Sequence, residues 1–572
     1  MENTVKTVCR NMMQLLSAHG VTKLFLSPGS RNAPLAVAAW RHEKIDVTVV
    51  VDERSAAFMA LGYSSISSAP VAIVCTSGTA LLNYAPAVAE AFYRRIPLIV
   101  ISADRPMEWI DQDDSQTLRQ HGALDPFVKK SCDIPAVDTP SMREYADRMV
   151  NDALLTATSG RPAPVHINVH IDEPVGAVAD CPQPSPRVIE MITPRADLPV
   201  SRARQLGETI ASPRRVMIVA GFNPPDRRLN SALSKLAQLP NFVILTETVA
   251  NLHGSSFITS VDSVLSAMTD EERRTLAPDV VITLGGALVS RHIKQYLRGL
   301  DGGEHWHVGI SHTTVDCFRH LTLRVEMQPE VFFTQLASAM QPHRQPCSYA
   351  ASWQILADRA ASTRAAYVAR APWSDLKAFS TILSMLPGNV NLQLSNGTSV
   401  RYAQILAPFR HHRCDCNRGV SGIDGCTSTA IGAAMAYAPR PTLLITGDMS
   451  AQYDVGALLQ APLIPQFRMI VVRNGGGAIF RFVTTTATLP EREECFAVGS
   501  LNVPLRQLAE GYGLDYFEAA DERRLRAVFP QFMDLSRGRA AVLAVDTPGE
   551  LSAEVLRGFF TRHVALAGIK EK

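Results

Sequence analysis

An α/β architecture of three doubly wound, mostly parallel sheets is what this sequence predicts. Three observations carry that expectation. Short apolar runs recur that are continuous rather than alternating, as in Val71-Ala72-Ile73-Val74-Cys75, Val216-Met217-Ile218-Val219-Ala220 and Val280-Val281-Ile282-Thr283-Leu284. Strands of that kind are covered on both faces, the signature of parallel sheets. The runs feed into turns rich in Gly, Ser, Asp or Asn. Two loose, proline-bearing stretches then divide the chain into regions 1–180, 200–340 and 350–572.

Taken in order, residues Met1 to Gly20 place Val5, Val8, Met12, Leu15 and Leu16 at helical spacing, with Gly20 as a stop. Glu2, Lys6 and Arg10 interrupt the apolar face, so the stretch does not read as a secretory leader. Leu24-Phe25-Leu26 leads into Ser27-Pro28-Gly29-Ser30-Arg31. The run Asp46 to Val51 leads into Asp52-Glu53, and a helix rich in small residues follows. Val71 to Cys75 leads into Thr76-Ser77-Gly78-Thr79-Ala80, and Leu98 to Ile101 leads into Ser102-Ala103-Asp104-Arg105-Pro106. Val165 to Val169 closes the first region. Pro182, Pro184, Pro186, Pro194 and Pro199 mark a linker.

The middle region adds strands at Arg215–Gly221, Phe242–Leu245 and Val280–Gly286. It holds no full Gly-x-Gly-x-x-Gly, so it reads as scaffold rather than a dinucleotide site. After a loose segment from Gln341 to Ser348, the last region carries Thr442 to Thr446 into Gly447-Asp448-Met449-Ser450. It then carries Met469 to Val472 into Arg473-Asn474-Gly475-Gly476-Gly477, and ends near Ala541–Val545.

The 572 residues, 46% hydrophobic, are ample for several cores. Lys+Arg 56 against Asp+Glu 54 leaves no basic stripe for nucleic acid. No run of 18 apolar residues suggests a membrane span. Ten scattered cysteines without a paired framework predict a reducing, cytoplasmic setting. The cluster His411-His412-Arg413-Cys414-Asp415-Cys416 lacks a second ligand set for zinc and reads as a loop beside a strand.

The Gly447-Asp448 pair and Asn474, each at the carboxyl end of an apolar run, resemble the diphosphate-binding signature of thiamine-diphosphate (ThDP) enzymes. Hard Mg²⁺ (or Mn²⁺) takes oxygen ligands, and a carboxylate, an amide oxygen and a glycine carbonyl would hold it against a diphosphate. The resemblance makes Asp448, Asn474 and Gly476 the metal ligands. It adds Ser77, Gly78, Thr79, Gly447, Met449 and Ser450 to the cofactor contacts. Glu53 resembles the family glutamate that meets N1′ of the aminopyrimidine, a role suited to a carboxyl of raised pKa in a dry site. Ile423 would hold the cofactor's bend, and Ile479 and Phe480 would wall the thiazolium. The order of regions is similar to the pyrimidine, central and pyrophosphate domains of the 2-oxo-acid decarboxylase-like branch. There the cofactor lies between two subunits, which implies a homodimer or homotetramer.

Within that branch, Ser27–Arg31, Asp52-Glu53-Arg54, Thr76–Ala80, Ala103–Pro106 and Asn417–Gly425 resemble the synthases that make 2-succinyl-5-enolpyruvyl-6-hydroxy-3-cyclohexene-1-carboxylate for menaquinone biosynthesis. Those enzymes decarboxylate 2-oxoglutarate and add the resulting carbanion to isochorismate in a 1,4 sense. Two dicarboxylates bring about four negative charges, and arginine recognises carboxylates bidentately. The resemblance assigns Arg401 and Arg418 to 2-oxoglutarate, and Ser30, Arg31, Arg105 and Gln116 to isochorismate; Gln116 and Arg418 join Glu53 as catalytic candidates. Arg105, which precedes a proline, could equally tie two loops together. Three positions depart from the family pattern. Arg473 stands where an Asn is common, Asn396-Gly397 where Asn-Ser is expected, and Ser290-Arg291-His292 where a basic pair is expected, leaving Arg291 as the substitute. Two rivals remain at this level: another ThDP carboligase that uses pyruvate and a flavin, and a non-catalytic subunit of the same fold. Intact Glu53, Asp448 and Asn474 speak against the second.

Overall fold

The computed structural model describes residues 2–194, 196–211, 213–340, 346–407, 412–483, 485–499 and 504–567, with side chains described as far as residue 561. The chain forms two units. The first comprises residues 1–194, 417–442 and 453–467, the second 195–416, 443–452 and 468–572.

In the first unit a short strap pairs β1 (Glu2–Thr4) antiparallel with β8 (Val178–Asp180). The main sheet holds β2 (Lys23–Leu26), β3 (Asp46–Val49), β4 (Val71–Cys75), β5 (Leu98–Asp104), β6 (Ser131–Ile134) and β7 (Val165–His170), in the order β3-β2-β4-β5-β7-β6. Its strand pairings are all parallel. Alternate residues of a strand face one side. Leu24, Leu26, Val74, Ile99, Ile101 and Ile167 accordingly share one core with Met12 and Leu16 of the Thr7–Ala18 helix and with Val150 and Leu154 of the Pro140–Thr158 helix.

Two expectations are corrected here. The N-terminus is not helical from its first residues: Glu2–Thr4 is a strand and the helix begins at Thr7. A three-residue strand has no periodicity to read, and its partner lies far along the chain. The run to Val51 also ends as a strand at Val49, because Asp52 caps the next helix by accepting the Arg54 N–H at 3.1 Å.

That helix, Glu53–Ser67, packs against the helix Cys426–Tyr437 at backbone contact. A Cβ on Gly62 would sit 1.9 Å from the Thr429 carbonyl oxygen, and one on Gly432 would sit 1.9 Å from that of Met59. Only glycine permits such an approach. The segment after this pair carries the fully buried Asp454, which accepts the Ser428 N–H at 2.6 Å and the Ser428 hydroxyl at 2.7 Å. Burial pushes its carboxyl up to about 7 against those hydrogen bonds and the Arg54 charge. The folded-state value lies above the ordinary 3.8, so the stability from this group is complete below about pH 4 and is lost as pH rises through about 7. Asp454→Asn is therefore expected to flatten the fall of the thermal midpoint across that window. An equally steep fall in the variant would assign the effect to another group.

In the second unit, β9 (Val216–Ala220), β10 (Phe242–Thr246), β11 (Val280–Leu284), β12 (Glu304–Val308) and β13 (Leu321–Val325) form a parallel sheet in the order β10-β9-β11-β12-β13. β12 and β13 escape sequence reading because polar residues break their apolar character. The buried rings of His305 and His307 meet Thr283 Oγ1 at 2.8 and 3.0 Å. The last sheet holds β14 (Asn391–Leu394), β15 (Arg413–Cys416), β16 (Thr442–Gly447), β17 (Phe467–Arg473), β18 (Asp515–Ala519) and β19 (Ala541–Asp546), in the order β15-β14-β16-β17-β19-β18. Its order of strands, counted along the chain, repeats that of the main sheet of the first unit. Sheets of this order offer a crevice at the carboxyl ends of their first and third strands, where the winding reverses.

The cysteine-histidine cluster lies largely on β15, with Cys414 and Cys416 buried; His411 lies outside the described residues. Among the described residues no group of three His, Cys, Asp or Glu side chains could hold a metal ion. No described helix is long and apolar enough to cross a membrane.

Candidate functional site

The candidate residues divide between the two units. In the first, four loops leave the carboxyl ends of neighbouring strands: Ser27–Arg31 after β2, Val50–Asp52 after β3, Thr76–Thr79 after β4, and Arg105 onward after β5. Glu53 is the first residue of its helix and is half-buried. Its charge reaches the β4 end. Burial raises the Cys75 thiol and the Tyr84 phenol, and the Glu53 carboxylate adds to both. Tyr84 in turn donates to Ser27 Oγ at 3.5 Å. The residue after Glu53 is clasped as well: Arg54 donates to the Tyr453 carbonyl at 3.0 Å and lies 4.8 Å over its ring.

Gly78 is held with φ +86° and its N–H donates to Gln120 Oε1 at 2.7 Å. The buried Gln120 amide also donates to Ala103 O at 3.1 Å and to Asn168 Oδ1 at 2.9 Å. Asn168 donates onward to Asp104 and Asp133, and His170 joins Asp133 to the Arg105 carbonyl. This buried polar chain fixes the β4 and β5 loops together. Gln116 lies with its backbone against Gly78 and a left-handed φ of 55°, its side chain exposed. Ser77 Oγ is buried without a hydrogen-bond partner among the described residues. Arg105 pairs with Asp114 at 2.9 Å and with Ser115, both within the same connection between β5 and β6. Arg31, 8% exposed, donates to Ile171 O at 2.9 Å and pairs with Glu173 at 3.1 Å; the Ser30 and Thr79 carbonyls accept the Ala33 and Asn83 N–H groups, each at 3.2 Å.

The Asn417–Gly425 loop, with buried Arg418 and half-buried Ile423, belongs to the same unit. Its anchor is Glu90, a buried carboxylate that accepts the Gly419 and Val420 N–H groups, both at 2.7 Å. Arg94 donates to Asn417 Oδ1 at 3.1 Å. At the end of the loop, Gly425 packs against the Phe58 ring of the Glu53 helix.

In the second unit, the first turn after β16 begins with Asp448 and the turn after β17 with Asn474. Asp448 accepts the Gly476 N–H and the Met449 N–H, each at 2.8 Å. Burial raises its carboxyl and those amides oppose the rise. The Asn474 amide nitrogen donates to Asp375 at 2.8 Å, while its oxygen is buried with no partner among the described residues. Gly475 and Gly476 take positive φ, 79° and 100°, which brings the turn back toward Asp448. A Cβ on Gly447 or on Gly397 would meet nothing within 4 Å, so the crevice between β14 and β16 is open at both glycines. Ser450 is buried behind it. Carboxylate, orphaned amide oxygen and glycine turn form one oxygen-donor set, and a hard dication fits it.

Arg481, unremarked in the sequence, holds this turn: it donates to Asn474 O at 2.9 Å and Gly475 O at 2.7 Å while pairing with Glu493 at 2.7 Å. Beside it, Ile479 and Phe480 are half-buried, with the Phe480 ring 5.7 Å from that of Phe496. Arg473 points away from the turn into a two-pronged pair with Asp546, 2.7 Å on each prong. Arg401 donates to the Gly397 carbonyl. Arg291 starts its helix exposed, behind Ser290, whose hydroxyl donates to the buried Asp262 at 2.7 Å.

Two family models match. "Thiamine pyrophosphate enzyme, N-terminal TPP binding domain" covers residues 6–124, and "Middle domain of thiamine pyrophosphate" covers 208–394. The chain is 41% identical to the 2-succinyl-5-enolpyruvyl-6-hydroxy-3-cyclohexene-1-carboxylate synthase of Porphyromonas gingivalis, over 96% of both chains. It is 35% identical to the synthase of the same name from Flavobacterium psychrophilum, over 97% of this chain and 98% of the other. With that of Desulfotalea psychrophila it shares 36% over 87% and 91%.

Proposed function

We propose residue roles on the footing that this chain belongs to the 2-succinyl-5-enolpyruvyl-6-hydroxy-3-cyclohexene-1-carboxylate synthase family of ThDP-dependent enzymes. The reaction decarboxylates 2-oxoglutarate and adds the remaining four-carbon unit to isochorismate, in menaquinone biosynthesis. Bound ThDP supplies the electron sink that this decarboxylation needs. The chain's own residues supply position, charge and proton control.

Asp448, Asn474 and the Gly476 carbonyl would hold Mg²⁺ or Mn²⁺ against the diphosphate. The observation that carries this is the buried Asn474 oxygen, unpartnered among the described residues, in the turn whose Gly476 N–H meets the Asp448 carboxylate. Ser77, Gly78 and Thr79 would border the pyrimidine, where Glu53 would hold a proton at N1′. Ile423, Ile479 and Phe480 would exclude water. Arg401 and Arg418 would neutralise the 2-oxoglutarate carboxylates, while Ser30, Arg31, Arg105 and Gln116 would receive isochorismate, with Arg291 at the substrate edge. Arg31 and Arg105 would exchange their present carboxylate partners for those of the substrate.

We read three domains in this chain, at 1–180, 200–340 and 350–572, one around each main sheet. Two copies would complete each cofactor site, as a homodimer or homotetramer. Ten free cysteines, six of them buried, support a reducing cytosol.

An assay with ThDP and Mg²⁺ tests the whole reading: isochorismate absorbance is expected to fall only when 2-oxoglutarate and ThDP are both present. CO₂ release without loss of isochorismate would point to another acceptor. Arg418→Ala is expected to raise KM for 2-oxoglutarate by about 10–100-fold, the loss of a charge-assisted hydrogen bond or two. Unchanged kinetics would remove Arg418 from the site.

A further inference from the structure

We propose that Asp375 is the residue that fixes which atom Asn474 presents to a divalent ion, and that it thereby sets the affinity for that ion. This rests on the reading of Asn474 as a metal ligand. Asp375 opens the Asp375–Ser384 helix, is 1% exposed, and figures nowhere in the sequence reading. Its carboxylate accepts three hydrogen bonds: from Asn474 Nδ2 at 2.8 Å, from Thr547 Oγ1 at 2.5 Å and from Ser552 Oγ at 3.2 Å. Its own N–H donates to Ser552 Oγ at 2.9 Å.

An amide can turn over and exchange its oxygen and nitrogen at almost no steric cost. A carboxylate only accepts, so it cannot face the amide oxygen without setting acceptor against acceptor. Asn474 must therefore turn its NH₂ toward Asp375. The amide is planar, so its Oδ1 then points the other way. That oxygen is buried and unpartnered among the described residues. Turned over, Asn474 would offer a cation two N–H donors and no lone pair. Among the described residues no other group hydrogen-bonds the side-chain amide, so the choice falls to Asp375 alone. Thr547 and Ser552 hold the carboxylate from the turn after β19 and from the C-terminal helix. Partners of this outer kind commonly govern metal affinity by about 10–100-fold.

The test is Mn²⁺ binding by the full chain at saturating ThDP, with free Mn²⁺ read from its electron paramagnetic resonance signal, so that turnover is not needed. Asp375→Asn can donate to the Asn474 oxygen and release the constraint; Mn²⁺ affinity is expected to fall about 10–100-fold. Asn474→Asp sets carboxylate against carboxylate, and it too is expected to bind more weakly than the parent although Asp is ordinarily the better ligand. The double variant Asp375→Asn/Asn474→Asp has a donor at 375 and two equivalent oxygens at 474, and is expected to recover affinity to within a few fold of the parent. A merely structural role for Asp375 would give no such recovery. Parent-like affinity in Asp375→Asn, tighter binding in Asn474→Asp, or a folded double variant that stays weak would each overturn the proposal. If Asp375→Asn does not fold, Asn474→Asp alone still decides it. Asn474→Ala separates the two readings: parent-like affinity there removes Asn474 as a ligand, whereas loss there with parent-like Asp375→Asn removes only the role of Asp375.

Discussion

Glu53→Gln is expected to cut turnover by about 10²–10⁴-fold while ThDP still binds, the range lost when a general acid–base group is removed. Gln keeps the length and shape of the side chain, so the helix start should survive. Asp52 still caps the Arg54 N–H at 3.1 Å and still accepts the Ser55 hydroxyl at 2.6 Å, and Arg54 keeps its place on Tyr453. What the amide cannot do is pass a proton to a ring nitrogen and take it back. The variant also removes a negative charge from beside Cys75 and Tyr84, so their burial-raised thiol and phenol should titrate at lower pH than in the parent. Two measurements check this: turnover at saturating cofactor, and cofactor affinity by fluorescence quenching. Parent-like turnover would end the assignment; loss of cofactor binding would recast Glu53 as a binding group.

The second large effect concerns folding rather than chemistry. Gly62→Val and Gly432→Val are each expected to destabilise the first unit by about 3 kcal/mol or more, at or beyond the upper end of usual overpacking costs. In both cases the new Cβ would lie 1.9 Å from a carbonyl oxygen of the opposite helix, and the obstacle is backbone on both sides. No side-chain rotation relieves it. The helices must separate, and the Glu53–Ser67 helix carries Glu53 at its start while Cys426–Tyr437 follows directly on the Arg418 and Ile423 loop. Activity and thermal midpoint should therefore fall together. A Gly62→Val protein with parent-like melting would mean that the two helices do not meet as closely as described.

Much of the scaffold is legible in the sequence because a parallel strand buried on both faces announces itself as an unbroken apolar run. β4 and β9 lie where such runs stand, and Gly447-Asp448 and Arg473-Asn474 fall at strand ends as read. Strands with buried polar residues, such as β12 with its two histidines, give no such signal. The site splits along a similar line. Residues inside glycine-rich motifs could be singled out; the groups that hold them could not. Glu90 anchors an amide 329 positions away, and Asp375 reaches Asn474 across 99. Gln120 likewise ties Gly78 to Ala103 and Asn168, each distant from it in sequence. A lone Glu on a helix or an Asp at a helix start is ordinary in any sequence. Its importance lies in a partner that only folding supplies.

The Arg473–Asp546 pair has a consequence for charge. Adjacent residues of a strand face opposite sides, so Arg473 and Asn474 are separated by the pleat alone. Were β17 to slip by one residue against β19, a guanidinium would swing to the side where Asp448 and Asn474 present their oxygens, and it would repel the dication proposed for that oxygen set. The forked pair with Asp546 locks the parallel alignment in which Arg473 stands opposite that residue. The pairing of two strands thus decides the sign of the electric field at the mouth of the crevice, and an error of about 3.3 Å along one strand would be enough to reverse it.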